Sequence, residues 1–150
     1  MTATNHALTG ALIGLAVGNP YIAVPAALAS HFVCDALPHF GAGNKQTSQS
    51  WFRNLLILEF LLCVTLVFVL AVTQPAHWLL AASCAFVATS PDFMWIKQFL
   101  RAQRGRIPTA DSSMLLRFHA GIQWFERPIG AVFEVAWALS ALILLKLYIF

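Results

Sequence analysis

The sequence predicts an all-α protein, a polytopic membrane helical bundle that forms a single domain over residues 1–150. Hydrophobic residues make up 59% of the chain and charged residues only 10%, whereas soluble domains carry about 25% charged residues. The mean hydropathy is +0.73, and several apolar runs approach the roughly 20 residues that cross a hydrocarbon core. There are too few charged side chains to cover a water-soluble globule, so that class is excluded.

The first two predicted helices, residues 5–18 and 21–38, form a tight hairpin joined by an Asn-Pro turn. The first is short for a membrane span, and Thr4 or Asn5 is expected to cap its start. One of its faces carries small residues, which allow another backbone to approach closely. These residues are Gly10, Ala11, Gly14 and Gly18. The hairpin brings the start of the first helix and the end of the second to the same side of the membrane.

Three longer spans follow at residues 53–73, 77–96 and 128–150, and Pro91 is expected to kink the second of them. Residues 97–117 are polar and basic and are predicted to be a loop, because a glycine and a proline interrupt any long helix there. The sequence therefore predicts about five membrane-embedded helices.

The basic residues predict the orientation of the bundle. Only Lys146 falls near the far face. The others fall on the side of the N-terminus: Lys45, Arg53, Lys97, Arg101, Arg104, Arg106, Arg117 and Arg127. By the positive-inside rule the N-terminus is cytoplasmic. The net charge of +3 reflects this orientation and contact with membrane lipids, so no nucleic-acid partner is expected. The first apolar run is expected to be retained, because it has no basic region before it to make a secretory signal.

A stripe of polar side chains interrupts the second helix. His31, Asp35 and His39 recur every fourth residue, and residues four apart lie on one face of a helix. The predicted topology sinks Glu59, Asp92 and Glu134 roughly 7 to 11 Å below the same membrane boundary. It places His6, His39 and His119 at that boundary. Intramembrane carboxylates are costly unless they are paired or bind a cation, so these are candidate functional residues.

Imidazole and carboxylate groups together suit a divalent metal. Zinc is favoured, with manganese or iron as alternatives. A catalytic zinc needs three protein ligands and an open position. Two ions sharing Asp35 or Asp92 as a bridge would use six or seven of the eight polar groups and leave one as a base. A metal-bound water with a pKa near 7 would supply the nucleophile.

Each of these residues also has a structural interpretation. His31 and Asp35 could form a hydrogen-bonded pair between helices. Asp92 could cap a helix broken at Pro91. His6 and His39 could simply lie at the interface. Glu59 and Glu134 could pair with a nearby arginine or accept a hydrogen bond from a metal-binding histidine. His77 lies in the opposite turn and is excluded.

Four segments of the chain resemble a known family. They are NHALTGALIG, HFVCDALPHFG, SPDFMW and FHAGIQWFERP. They are similar to small members of the YdjM/YbcI-like family, bacterial inner-membrane proteins described as metal-dependent hydrolases and sometimes called LexA-binding. The Pro-Asp-x-Asp-His run of larger members is not intact here. The resemblance implies a set of metal ligands in this chain, namely His6, His31, Asp35, His39, Asp92 and His119.

The resemblance also implies a hydrolase that acts on a phosphoester or a lipid-like ester. Substrate would enter laterally from the cytoplasmic leaflet, with its anionic head group attracted by Arg117 or Arg127. Glu59 or Glu134 would transfer the proton. The alternative is a non-enzymatic membrane protein, either a metal-ion or proton transporter or a scaffold. A purely structural anchor would leave the polar groups unexplained. The sequence leaves the oligomeric state open.

Overall fold

The computed structural model describes residues 1–41, 49–105 and 113–150, and the elements in these ranges are helical, with no strand. This confirms the predicted all-α class. Lys45, Arg106 and the proline of the predicted loop lie outside the described residues. The helices are α1 (Ala3–Val17), α2 (Pro20–Ala36), α3 (Ser50–Thr73), α4 (Trp78–Thr89), a 3₁₀ helix (Ser90–Trp95), α5 (Ile96–Gln103), α6 (Met114–Ile122) and α7 (Gly130–Ile149).

Three helical stretches are long and apolar enough to cross a membrane. They are Ser50–Thr73, Trp78–Gln103 and Gly130–Ile149. Most of their apolar side chains point outward, for example Phe68, which is 65% exposed, as expected for helices surrounded by lipid. The apolar helix α1 is shorter than these spans.

Helix α1 lies at the centre of the bundle and contacts α2, α3, α4 and α7. Its closest neighbour is α4, and two glycines make that approach possible. A Cβ atom on Gly10 would lie 2.3 Å from the carbonyl oxygen of Cys84, and one on Gly14 would lie 2.5 Å from the Cα atom of Ala81. The small-residue face predicted for the first helix is therefore a packing surface, and Gly10 and Gly14 carry it.

Two carboxylates from other helices accept hydrogen bonds from the backbone N–H groups at the start of α1. Glu134 of α7 accepts hydrogen bonds from the backbone N–H of Thr2 at 3.1 and 3.0 Å, and Glu59 of α3 accepts one from Thr4 N–H at 2.8 Å. The prediction that Thr4 or Asn5 caps this helix is wrong: the N-cap residue is Thr2, and its side chain makes no capping bond. Buried N–H groups at a helix start need acceptors, and a negative charge there also interacts favourably with the helix dipole.

The long stretch Trp78–Gln103 changes from α-helix to 3₁₀ helix at Ser90, beside the proline that is predicted to kink it. Part of the segment predicted as a loop is helical, since α5 covers Ile96–Gln103 and α6 begins at Met114. In α5 the apolar Ile96, Phe99 and Leu100 follow the i, i+3, i+4 spacing of one helix face, and basic and amide residues fill most other positions. Such an amphipathic pattern stabilises a helix at an interface even where the overall composition is polar.

Candidate metal centre

The last turns of α2 carry His31 and Asp35, which are both fully buried. Asp35 is the most heavily bonded side chain of the region. Its Oδ1 accepts a hydrogen bond from His6 Nε2 at 3.0 Å and also contacts the amino group of Met1. Its Oδ2 lies 2.8 Å from His119 Nε2 and 3.3 Å from His31 Nε2. This carboxylate therefore joins residues of α1, α2 and α6.

Four side chains bring one possible ligand atom each to within 4.8 Å of one another: His31, Asp35, Asp92 and His119. We call these four residues the donor cluster. Asp92 comes from the 3₁₀ helix, and its Oδ1 lies 3.8 Å from His31 Nε2 and 3.9 Å from His119 Nε2. The cluster offers two imidazole nitrogens and two carboxylates, and it could hold a divalent metal ion, whose charge the two carboxylates would balance.

A hydrogen bond to the backbone orients His31 for such a role. His31 Nδ1 lies 2.8 Å from the carbonyl oxygen of Ala88, and because a carbonyl only accepts, Nδ1 must carry the proton. In the neutral imidazole Nε2 then has a free lone pair, which points into the cluster. The Ala88 carbonyl is accessible because Pro91, three residues later, has no N–H to donate to it in a 3₁₀ turn.

In this orientation the lone pair of His31 Nε2 lies close to other electron-rich atoms. His31 Nε2 lies 3.3 Å from Asp35 Oδ2 and 3.1 Å from His119 Nε2. The contact with the carboxylate is favourable only when a cation, either a second proton on His31 or a metal ion, lies between the atoms. The donor set therefore fits a metal ion. The alternative is the hydrogen-bonded His31–Asp35 pair considered from sequence, in which a second proton on His31 takes the place of the metal.

His119 belongs to α6, and its ring contacts both a sulfur atom and an indole ring. Its Nδ1 lies 3.4 Å from Met94 Sδ, and its ring centroid is 5.6 Å from that of Trp95. Gln123, four residues later, donates to Asp35 Oδ2 at 3.3 Å. The prediction that His119 lies near Asp35 rested on its place at the membrane boundary and on the family resemblance. The i,i+4 spacing of His119 and Gln123 is a further sequence signal that both face one site.

Among the described residues, three side chains of the cluster are buried and one is partly exposed. The side chains of His31 and Asp35 are 0% exposed, as is that of His119, while Asp92 is 31% exposed. Access to the cluster therefore runs past Asp92.

His6 and His39, the other predicted ligands, lie outside the donor cluster. The ring of His6 stacks on that of His31 with centroids 4.1 Å apart, and its Nε2 is hydrogen-bonded to Asp35 Oδ1. The Nδ1 of His39 donates to Leu37 O at 2.8 Å, and its backbone carbonyl accepts from Arg127 N–H at 3.1 Å. His6 thus supports a ligand, whereas His39 supports a turn.

Glu59 and Glu134 are also separate from the donor cluster. Besides the Thr2 N–H group, Glu134 accepts hydrogen bonds from Phe40 N–H at 3.1 Å and from the side-chain Nδ2 of Asn5 at 3.1 Å. These contacts give both glutamates a structural role, and proton transfer by either of them stays a prediction. Arg117 and Arg127 are exposed, and the guanidinium of Arg127 lies 5.2 Å from the centre of the Phe125 ring. A head-group role for these arginines also stays a prediction.

Searches of protein-family models, curated proteins and solved structures find nothing that matches this chain. The donor cluster and its surroundings therefore carry the functional interpretation. They describe a helical protein with three possible membrane spans and a buried His/Asp cluster that could bind a metal ion.

Proposed function

We propose that the protein is a metal-dependent membrane hydrolase of the YdjM/YbcI-like type, which binds a divalent ion at the donor cluster, most favourably zinc. The observation that carries the proposal is the convergence of two imidazoles and two carboxylates from α2, α6 and the 3₁₀ helix within 4.8 Å. Nitrogen and oxygen donors in this ratio suit zinc, and also manganese or iron.

The four residues divide into three fully buried ones and one at the opening. His31, Asp35 and His119 are the proposed ligands, because they surround one point and are shielded from solvent. Asp92 is farther from both histidines and partly exposed, so it can accept a proton from a water molecule at the mouth of the site. A bound divalent ion would lower the pKa of that water to about 7 and polarise a phosphoryl or carbonyl oxygen of the substrate.

The substrate class follows from where the site lies. Buried polar residues within the described ranges gather at one end of the bundle: the first halves of α1, α3 and α7, the ends of α2 and α4, and α6. This one-sided distribution favours an enzyme at one leaflet over a transporter, which would need polar groups along a path through the bundle. We therefore propose a phosphoester or lipid-like ester that is drawn from the membrane.

The proposal extends to location. Basic residues flank the end of the bundle that holds the donor cluster, among them Arg53, Lys97 and Arg117, while Lys146 lies at the end of α7. This distribution supports an inner-membrane protein with its site on the cytoplasmic side.

Metal content is the first test. Protein purified in detergent without added metal, and then dialysed against zinc, should hold close to one ion per chain by mass spectrometry of the elements. His31→Ala and Asp35→Ala should lose it. The exposed His77→Ala is the matched control and should keep it. A wild-type protein without stoichiometric metal, or ligand variants that retain it, would overturn the proposal.

Activity is the second test. The zinc-loaded protein should hydrolyse a p-nitrophenyl phosphate or a p-nitrophenyl ester of a medium-chain fatty acid. Asp92→Asn should retain the metal and lose at least about a hundredfold in rate, the lower end of what general base catalysis contributes. Hydrolysis of neither ester above the level of His31→Ala would leave a metal-binding protein and reject the hydrolase.

A further inference from the structure

Trp95 presents a buried hydrogen-bond donor that has no acceptor. Its Nε1 is inaccessible to solvent and makes no hydrogen bond with any described residue. The indole nitrogen can only donate. Because buried donors in folded proteins are nearly always paired, each exception needs an explanation, and an absent ligand or water is a common one.

The indole ring of Trp95, which carries this N–H group, lies close to the donor cluster. Trp95 and Asp92 are three residues apart in the same 3₁₀ helix, and side chains at this spacing in a 3₁₀ helix lie directly above one another. The ring centroid of Trp95 is 5.6 Å from that of His119. The indole therefore lies beside the cluster, on the same edge of the 3₁₀ helix as Asp92, which is the partly exposed member of the cluster.

We propose that the indole N–H of Trp95 binds an oxygen of a phosphate group held next to the metal. This inference rests on the proposed function and narrows its substrate class from esters in general to phosphoesters. A phosphate that binds a metal through one oxygen has further charged oxygens that need donors, and hydrogen bonds to charged acceptors are the strong ones. A carboxylic ester has no such additional anionic oxygens.

The test measures binding of inorganic phosphate to the zinc-loaded protein by calorimetry. Trp95→Phe keeps an aromatic ring and removes only the N–H group. We expect it to keep one zinc per chain and to bind phosphate at least about tenfold more weakly, the loss of one hydrogen bond to a charged group. Trp124→Phe is the matched control, because Trp124 is 71% exposed, and it should bind phosphate as the wild type does.

A second probe distinguishes the source of the phosphate. Dodecyl phosphate carries the same group on an apolar tail, and tighter binding of this probe than of inorganic phosphate indicates a membrane phospholipid or lipid phosphate. Equal binding indicates a soluble phosphate ester. In both cases Trp95→Phe should weaken binding by the same factor.

A measurement on the wild-type protein makes the test independent of the variant's folding. The chain has 5 tryptophans, and in proton–nitrogen NMR spectra one indole N–H signal should move downfield when phosphate is added to the zinc-loaded protein. Unchanged indole signals, or equal phosphate affinity of zinc-loaded Trp95→Phe and wild type, would overturn the inference while leaving the metal site intact. Failure of the wild type to bind zinc would overturn both.

Discussion

The described part of the bundle contains two pairs of buried or partly buried acids with different partners. Asp35 accepts hydrogen bonds from two imidazoles as well as from Gln123 and the N-terminal amino group, and Asp92 faces two imidazole rings. Glu59 and Glu134 receive theirs mainly from backbone N–H groups at the start of α1. A helix start supplies fixed backbone donors, which can neither accept a proton nor bind a metal. Imidazoles can donate, accept or bind a metal, so the aspartate pair has the partners that a metal site needs.

The comparison shows what depth in a membrane does and does not indicate. An intramembrane acid needs a partner, and all four of these acids have partners or face them. The type of partner depends on which helix end the acid meets. Helices α3 and α7 pack against α1, so their glutamates meet its unpaired N–H groups.

Replacing the central acid of the first pair should have the largest effect. Asp35→Asn leaves the volume unchanged but removes the charge that faces three histidines. We expect zinc affinity to fall by more than about a hundredfold, beyond the usual cost of losing a residue that only orients a ligand. Competition with a fluorescent chelator measures it. Glu126→Gln, an exposed acid, should bind zinc normally, and zinc affinity in Asp35→Asn close to the wild type would show that the two pairs do not differ.

Replacing an acid of the second pair should affect stability and spare the metal. Glu134→Ala leaves the N–H groups of Thr2 and Phe40 without their acceptor. We expect the free energy of unfolding in detergent to fall by about 2 kcal/mol, the cost of one or two unpaired buried donors. Zinc stoichiometry should stay the same.

Thermal or denaturant unfolding followed by circular dichroism measures this change, and Glu126→Ala serves as the exposed control. Loss of zinc from a folded Glu134→Ala protein would contradict the division between the two pairs.

Pro91→Ala tests the orientation of His31. An alanine N–H at position 91 would compete with His31 Nδ1 for the Ala88 carbonyl. We expect roughly tenfold weaker zinc binding, as is usual when a hydrogen bond to a metal-binding histidine is lost. Pro75→Ala, in the turn at the opposite end of the bundle, is the matched control. Equal zinc affinity of the two variants would mean that the backbone bond does not orient the ligand.

The smallest effect is expected for Glu59→Gln. The amide oxygen can still accept the hydrogen bond from Thr4 N–H, so only the charge is lost. We expect a stability decrease of about 0.5 kcal/mol, within the range for a helix-dipole interaction, and unchanged zinc binding. A decrease as large as that of Glu134→Ala would show that the negative charge, rather than the hydrogen bond, stabilises the start of α1.

Much of the fold could be predicted because short stretches of sequence determine where the helices form and which faces pack closely. Apolar runs indicated helices and spans, and the spacing of Gly10 and Gly14 indicated a close helix contact, which the structure shows with α4. The amphipathic α5 was missed because its polar residues dominate the composition of the segment.

The site was predictable only in part. The i,i+4 spacing of His31 and Asp35 defined one wall, and the predicted topology brought Asp92 and His119 to the same side of the membrane, where the structure groups them. Depth alone could not separate Asp92 from Glu59 and Glu134, because that requires knowing which helices pack together. The role of the Ala88 carbonyl could not be predicted from the sequence either, since it depends on how the backbone changes from α to 3₁₀ geometry after α4.

The hydrogen bonds between Thr2 and Glu134 join residues 132 positions apart. During synthesis α1 is therefore made long before its acceptor on α7 exists. The first turn of α1, including His6, can reach its final state only after α7 has packed against it. Assembly of the protein should consequently end at the donor cluster, and a chain truncated before α7 would retain its early helices but leave this region unfinished.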